Sequence, residues 1–292
     1  MTGIQKILII GAGPAGIAAA LELHRRDIPF VIAEQSAIGG LARNANLIRN
    51  YPGFPDGIAG QALADILEAH IKSFGIGIVR GAVSFLAHEG SAFNAMVAGD
   101  EEMFAAVIVA TGTMPVEAMF HGVGALLRTK KLLYEIGSLP NDMKNAVIFG
   151  GGDVAHDYAL SLAARGIEIT ILSRSAPSAI PFLQQRAKEI GITVISGEDI
   201  DGVSINENGK VVIDTDNDRF IETDAMIVAI GRQANRTILS NFRKLEIFPD
   251  GSTSVRGIFL AGDVLHPEIR QVGTAVGDGI RAACMAAEYI EK

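Results

Sequence analysis

Two glycine-rich turns constrain this chain more than anything else in it. Gly11-Ala12-Gly13-Pro14-Ala15-Gly16 follows the apolar run Ile7-Leu8-Ile9-Ile10, and Gly150-Gly151-Gly152-Asp153-Val154-Ala155 follows Ala146-Val147-Ile148-Phe149. Each reads as a strand-to-helix turn of the kind that receives a pyrophosphate. The first glycine makes the tight turn, and the second lets the backbone approach the phosphates. The third small residue, Gly16 or Ala155, lets the helix pack on the strand, and the helix N-terminus offers free N–H groups and a positive dipole end. One such turn is a weak signal, because glycine-rich turns are common. Two of them in 292 residues imply two nucleotide sites, and electrons commonly pass between two dinucleotides held by one protein.

The context of the first turn agrees with this reading. A continuous apolar run is expected of a parallel strand buried on both faces. Pro14 suits the first helical position, and Ile17 to Leu23 continue as a helix. Phe30-Val31-Ile32-Ala33 then reads as the second strand and ends at Glu34, 23 residues after Gly11, close to the spacing expected of a carboxylate on ribose hydroxyls. The second turn has the same grammar with one difference. Its next strand, Ile167 to Leu172, runs into Ser173-Arg174-Ser175. An arginine there without a nearby acid favours a 2′-phosphate, hence NADP over NAD, with a solvated surface arginine as the plain alternative.

Composition leaves room for both domains. Hydrophobic residues make up 49% and charged residues 20% of the chain, enough for two buried α/β cores without disorder. The net charge of −8 argues against nucleic acid as a partner. With one cysteine, Cys284, no intramolecular disulfide can form and no cysteine metal site is expected; its alanine-rich setting reads as a packed helix face. No run approaches the roughly 20 apolar residues needed to span a bilayer, and the apolar N-terminal stretch is broken by glycines and Pro14. A cytoplasmic protein without a membrane partner is expected.

The halves repeat coarsely. Each glycine turn opens a βαβ unit that is closed later by an apolar strand running into glycine: Ala106 to Gly112 in the first half and Ala225 to Gly231 in the second. A third such strand, Gly257 to Asp263, precedes a final helix. The expected architecture is α/β, with two Rossmann-like, three-layer ββα dinucleotide-binding domains, the second inserted into the first. The first takes residues 1–113 plus 241–292 and the second 114–240.

The order of Gly11 to Gly16, Glu34, Gly39-Gly40, Asn50-Tyr51-Pro52-Gly53-Phe54-Pro55, Ala110-Thr111-Gly112, Gly150 to Ala155, Gly262-Asp263, Arg270-Gln271-Val272, Ala275 and Gly277-Asp278-Gly279 resembles the low-molecular-weight thioredoxin reductases, of the class II pyridine nucleotide-disulfide oxidoreductases. The resemblance covers essentially the whole chain. It implies FAD in the first domain, NADPH in the second, and a homodimer. For FAD it implies Gly11, Gly13, Pro14 and Ala15 at the pyrophosphate and Glu34 with Gln35 at the adenosine ribose. Gly40 and Leu41 would lie in the flavin-side loop, with Asn50 near the isoalloxazine and Val83 at the adenine. Thr111 and Gly112 would pass the cofactor at a strand end, and Gly262 and Asp263 would sit at the ribitol or pyrophosphate. Gln271 and Val272 would reach the pyrimidine edge, where the N-terminus of the last helix could stabilise negative charge. For NADP it implies Gly150, Gly152, Asp153, Val154, Arg174 and Gly231. Asp263 as a turn cap and Asn50 as turn chemistry are plain alternatives.

The departure from the family matters equally. Thioredoxin reductases carry a redox-active Cys-x-x-Cys just before the second glycine turn; here that segment is Leu132-Leu133-Tyr134-Glu135-Ile136-Gly137-Ser138-Leu139-Pro140. A dithiol mechanism needs two thiols able to form a disulfide. A cysteine-free branch, the thioredoxin-reductase-like ferredoxin–NADP reductases, is a candidate, although its members usually extend past the last helix. The expectation is therefore hydride exchange between NADPH and flavin, then electron delivery to a carrier protein such as a ferredoxin or to a small molecule. The flavin carries that chemistry, and no catalytic side chain is named. A flavin sensor or scaffold, and a disulfide reductase using a partner's thiols, remain as alternatives. His156 reads chiefly as a helix-surface residue, with contact to NADP as the alternative. Arg43 and Arg49 could steer an acidic carrier or be solvated surface residues, and the run Arg128 to Lys131 reads chiefly as a solvated face, with carrier steering as the alternative. The domain crossings are expected within 113–145 and 231–241.

Overall fold

The computed structural model describes residues 5–139 and 143–291. The chain divides into two compact units, Met1–Arg43, Ile48–Met114 and Gln233–Lys292 in one, Asn44–Leu47 and Pro115–Arg232 in the other. Pro140, the last residue of the segment that stands where the family has its cysteines, lies outside the described residues.

The first unit is built on a parallel sheet of β1 (Ile7–Ile10), β2 (Phe30–Glu34), β3 (Ile78–Arg80), β7 (Ala106–Val109) and β18 (Ile258–Leu260), in the order β18-β7-β1-β2-β3. The antiparallel meander β4 (Val83–Glu89), β5 (Ala92–Val97) and β6 (Asp100–Phe104) covers one face. On the other face lie α1 (Pro14–Arg25) and α6 (Val272–Ile290), with α2 (Gly60–Ser73) beside α1. The two layers explain why β1 is apolar without alternation. Ile7 and Ile9 pack with Ile17 and Leu23 of α1 and Ala282, Ala283 and Ala286 of α6, while Leu8 and Ile10 pack with Leu86, Phe93 and Phe104 of the meander. Successive side chains serve opposite faces, and both faces are dry.

The second unit repeats the plan. Its parallel sheet runs β12-β11-β10-β16-β9, from β9 (Leu132–Leu133), β10 (Asn145–Phe149), β11 (Glu168–Ser173), β12 (Thr193–Ser196) and β16 (Ala225–Val228). A meander of β13 (Ile200–Ile205), β14 (Val211–Thr215) and β15 (Phe220–Thr223) lies on one side; α4 (Asp153–Ala163) and α5 (Pro181–Glu189) lie on the other, and α3 (Val123–Arg128) follows the first crossing. Ala146 and Ile148 of β10 meet Tyr158, Ala159 and Leu162 of α4, and Val147 and Phe149 meet Val203, Val211 and Ile213 of the meander. This is the three-layer ββα fold, twice.

The crossings β8 (Thr113–Pro115) and β17 (Arg232–Ala234) pair as a two-stranded sheet. The second boundary, expected at 240/241, falls at 232/233. The reason is packing: Leu239 is buried in the first unit's meander-side core, with Ala234, Ile238, Phe242 and Leu245 alongside. Residues 44–47, expected in the first domain, cluster with the second unit.

Candidate functional site

In the first unit, Gly11 takes φ +106°, and a Cβ there would run into the Ala110 carbonyl. Its N–H donates to Ala33 O at 2.8 Å, stitching the turn to β2. A Cβ on Gly16 would overlap the Gly11 carbonyl, so α1 lies as low on the strand as a helix can. Gly13 differs: a Cβ there would meet nothing within 4 Å. It is the N-cap of α1, with no side-chain cap, no acid in the first turn, and Pro14 opening the helix. Free N–H groups facing open space over a bare glycine are a seat for a phosphate.

Glu34 is buried at 9% exposure. Its Oε2 accepts Ala12 N–H and its Oε1 accepts Ser36 N–H, each at 2.7 Å, so the carboxylate is aimed at the turn by the backbone. Gln35 beside it is exposed. Gly40 (φ +52°) opens a 3₁₀ turn with Leu41, and a Cβ on it would stand 3.3 Å from Gly13 Cα; Gly39 N–H donates to Ala12 O at 2.8 Å. Val83 opens β4 two residues beyond Gly81, whose N–H donates to Glu34 O at 3.0 Å. Gly11, Gly13, Glu34 and Gly40 thus form one cradle.

The remaining residues of this group come to the same helix ends. A Cβ on Gly262 (φ +77°) would stand 2.9 Å from Ala15 Cβ, and one on Gly279 would overlap the Ala15 carbonyl. These glycines let the Gly262–Val264 turn and α6 close onto the start of α1. Asp278 Oδ2 accepts Gly262 N–H at 3.3 Å and is buried at 4% exposure; Asp263 follows, half-buried. Asn50 donates its side-chain amide to Gln271 Oε1, and Gln271 is the N-cap of α6, which begins at Val272. Thr111 Oγ1 donates to Asn235 O at 2.6 Å, and Gly112 (φ +66°) faces open space. Tyr51 and Phe54 stack at 6.0 Å between centroids.

The second turn copies the first in backbone. Gly150 (φ +143°) would clash with the Ala229 carbonyl if it bore a Cβ, and its N–H donates to Leu172 O at 2.8 Å. Gly152 is the N-cap of α4, and the nearest atom to a Cβ on it would be Ser178 Oγ at 3.8 Å. Asp153 is the first helical residue, and its Oδ1 accepts Ile180 N–H at 2.8 Å. Val154 is half-buried and Gly231 (φ +138°) is exposed. Arg174 stands exposed directly after β11.

Three surface expectations are corrected. His156 is buried at 1% exposure, because α5 packs against α4 and its Nδ1 lies 3.1 Å from Gly152 O. Arg43 is half-buried and donates to Ile38 O at 2.6 Å, so it braces its own loop. Lys131 turns its ammonium to the Asp224 carbonyl at 3.2 Å. Cys284, on α6, is half-buried with its Sγ 3.0 Å from Arg26 Nη2.

Asp278 and Asp157 carry no motif of their own that marks them in the sequence. Asp278 stood between two glycines of the resemblance, and that spacing was the available signal. Asp157 is half-buried on α4 and accepts Asn46 N–H at 2.8 Å. Burial pushes its carboxyl up to about 6, with Asp153 adding to the rise and the Asn46 bond opposing it. Among the described residues no group of three or more His, Cys, Asp or Glu side chains is placed to hold a metal, and no helix is long and apolar enough to cross a membrane.

Comparison with known proteins agrees with this geometry. Residues 5–279 match the family model described as pyridine nucleotide-disulphide oxidoreductase. The chain is 30% identical over 321 residues to a "34.2 kDa protein in rubredoxin operon" of Clostridium pasteurianum, covering 97% of this chain and 96% of that one. It is 30% identical over 319 residues to the thioredoxin reductase of Bacillus subtilis (strain 168), covering 99% and 96%. Among solved structures it is similar to Lactococcus lactis thioredoxin reductase in the FR conformation, with a TM-score of 0.88, 25% identity, and coverage of 98% and 99%.

Proposed function

The chain belongs to the pyridine nucleotide-disulphide oxidoreductase family, and we propose that within it this protein is an FAD-dependent NAD(P)H oxidoreductase whose acceptor is not a dithiol of its own. The carrying observation is a pair of glycine turns of matching form, each with a glycine N-cap that no side chain caps, Gly13 facing open space and Gly152 with only Ser178 Oγ near, at 3.8 Å, in a chain holding one cysteine. FAD belongs to the first unit and NADPH to the second, as the acid at Glu34 and the base at Arg174 favour. The acceptor is a carrier protein or a small molecule. A relative described as a protein of a rubredoxin operon supports a carrier protein. A cytoplasmic homodimer is the form the family likeness favours.

The residues supply binding and orientation. When bound, FAD and the nicotinamide nucleotide supply hydride transfer and onward electron delivery. The N-terminus of α1, which no side chain caps and which faces open space over Gly13, would hold a pyrophosphate, and Glu34, held by two backbone N–H groups, would receive ribose hydroxyls. Asp278 fixes Gly262, which sets the height of the Asp263 turn. The Asn50–Gln271 pair holds the N-terminus of α6, whose N–H groups stabilise negative charge placed there. In the second unit Gly152 and the start of α4 form the matching seat.

Anaerobic addition of NADPH or NADH to the FAD-loaded protein tests the proposal. The flavin band near the visible maximum should bleach within seconds, and a panel of ferredoxin, rubredoxin, flavodoxin, quinones, oxygen and disulfides then assigns the acceptor. A flavin that stays oxidised with both nucleotides, or a protein that takes up no FAD, overturns it.

A further inference from the structure

We propose that the second unit's site discriminates poorly between NADPH and NADH, binding the two within about tenfold of each other; this rests on the nucleotide assignment made above. Register identifies the residues responsible. Ile10 pairs with Ala33 and Gly11 N–H donates to Ala33 O. Phe149 pairs with Leu172 and Gly150 N–H donates to Leu172 O. Ser173 therefore occupies the place of Glu34, and Arg174 the place of Gln35.

Each position favours indifference to the 2′ substituent. Ser173 is buried at 3% exposure and spends its hydroxyl proton on Ser175 O at 2.8 Å. No carboxylate stands there to grip a 2′-hydroxyl or to repel a 2′-phosphate. Arg174 is the one charged residue from Ser173 to Ile180, it is exposed, and among the described residues it makes no ion pair, so nothing fixes its guanidinium. The exposed Asp153 carboxylate, tied to Ile180 N–H, sets a negative charge on the same turn. Lys188, a second cation in the vicinity of this loop, lines a cleft of about 360 Å³ with His156, Pro177 and Gln184, and that cleft includes none of Gly150 to Gly152 and not Arg174.

A 2′-phosphate carries about −1.5 to −2 charges, but a single exposed ion pair shifts an equilibrium by only about two- to fivefold. Tight discrimination needs several converging donors or a planar fork held in place. One unanchored arginine, with a carboxylate rather than a second cation on the glycine turn, gives a preference for NADPH that is small.

Calorimetric titration of NADP⁺ and NAD⁺ into the oxidised, FAD-loaded protein at one fixed ionic strength reads the ratio without turnover. The expected ratio is below about tenfold, a difference of less than about 1.4 kcal/mol. Arg174→Ala should bring the ratio close to one. Ser175→Arg, which adds a second cation, should tighten NADP⁺ by about two- to fivefold and so widen the ratio, a gain that a misfolded protein cannot give. A wild-type ratio of tenfold or more overturns the inference, as does an Arg174→Ala ratio equal to wild type. Binding of neither nucleotide overturns it together with the assignment beneath it. Binding of both without bleaching of the flavin sinks the proposed function and leaves the inference standing.

Discussion

The two glycine turns share a backbone and differ in nearly every side chain around it. Gly11 and Gly150 both take positive φ against a carbonyl that leaves no room for a Cβ, and Gly13 and Gly152 cap their helices with near-identical angles, −75°/−176° and −88°/−174°. Around this common seat, Gly16 is equivalent in position to Ala155, Pro14 to Asp153, and Glu34 to Ser173. The first turn is cut close: its helix sits where a single methyl would collide with the backbone, and a braced carboxylate waits at the strand end. The second accommodates a methyl, that of Ala155, under its helix, and its strand-end serine is turned inward. The pyrophosphate seat is generic backbone chemistry. The side chains around the two seats differ, and under the proposed function that difference suits a resident cofactor in one unit and an exchanging one in the other.

Exchanging the third residue should break this contrast most severely. Gly16→Ala places a methyl against the Gly11 carbonyl, and neither backbone segment can yield without lifting α1. Overpacking of this kind typically costs about 1–3 kcal/mol or more, and here it falls on the turn proposed to seat FAD. The variant should purify with little or no FAD and a lowered thermal midpoint. A fully yellow Gly16→Ala protein would contradict the close-cut reading of the first turn.

The second unit carries its own strain in a carboxylate that Glu34 does not resemble. Asp157 is raised to about 6 from an ordinary 3.8, chiefly by burial. Between those values the folded chain binds a proton that the unfolded chain has released, so stability falls as pH rises from about 4 to about 6 and is not regained above it. The span corresponds to a ceiling of about 3 kcal/mol. Asp157→Asn should flatten this part of the pH–stability curve and raise the thermal midpoint at pH 7 relative to wild type. A variant that keeps the wild-type slope would remove Asp157 as its source.

Glu34→Ala should have a smaller, more local effect. It strips the acceptor from Ala12 N–H and Ser36 N–H, an expense of about 1–3 kcal/mol when buried groups lose partners. FAD affinity, measured by flavin fluorescence on dilution, should fall by about tenfold or more. The corresponding Ser173→Ala should leave FAD content as it is and lower nucleotide affinity far less, since that hydroxyl serves the loop itself. Equal losses at the two positions would erase the distinction drawn between them.

Much of this was legible in the sequence because the responsible signals are local. Apolar runs without alternation, glycines at fixed offsets and an acid at the second strand end announce both ββα sandwiches and the cradle of Gly11, Gly13 and Glu34. What escaped was set by contacts between distant segments. His156 is buried because α5 returns over α4, and no window around residue 156 contains α5. Arg43 serves Ile38 because its 3₁₀ turn folds it back. The 232/233 boundary depends on Leu239 finding the meander of the first unit. Asp278 reaches Gly262 only once α6 has docked on α1.

The mildest test is the reciprocal of the first. Ala155→Gly removes a fully buried methyl from α4 and gives the second turn the residue that the first one requires. Helix propensity costs about 1 kcal/mol, and loss of one buried methyl costs about 0.8 kcal/mol more, so a modest drop in thermal midpoint is expected while NADP⁺ binding persists. The asymmetry with Gly16→Ala carries the physical content. If helix height over the turn is set by the third residue, adding a methyl to the close-cut turn must be far worse than removing one from the second turn, because a void can be partly filled by relaxation and a backbone collision cannot. Comparable losses from the two substitutions would mean that helix height is fixed elsewhere, with Gly262 and Gly279 closing on Ala15 as the first place to look.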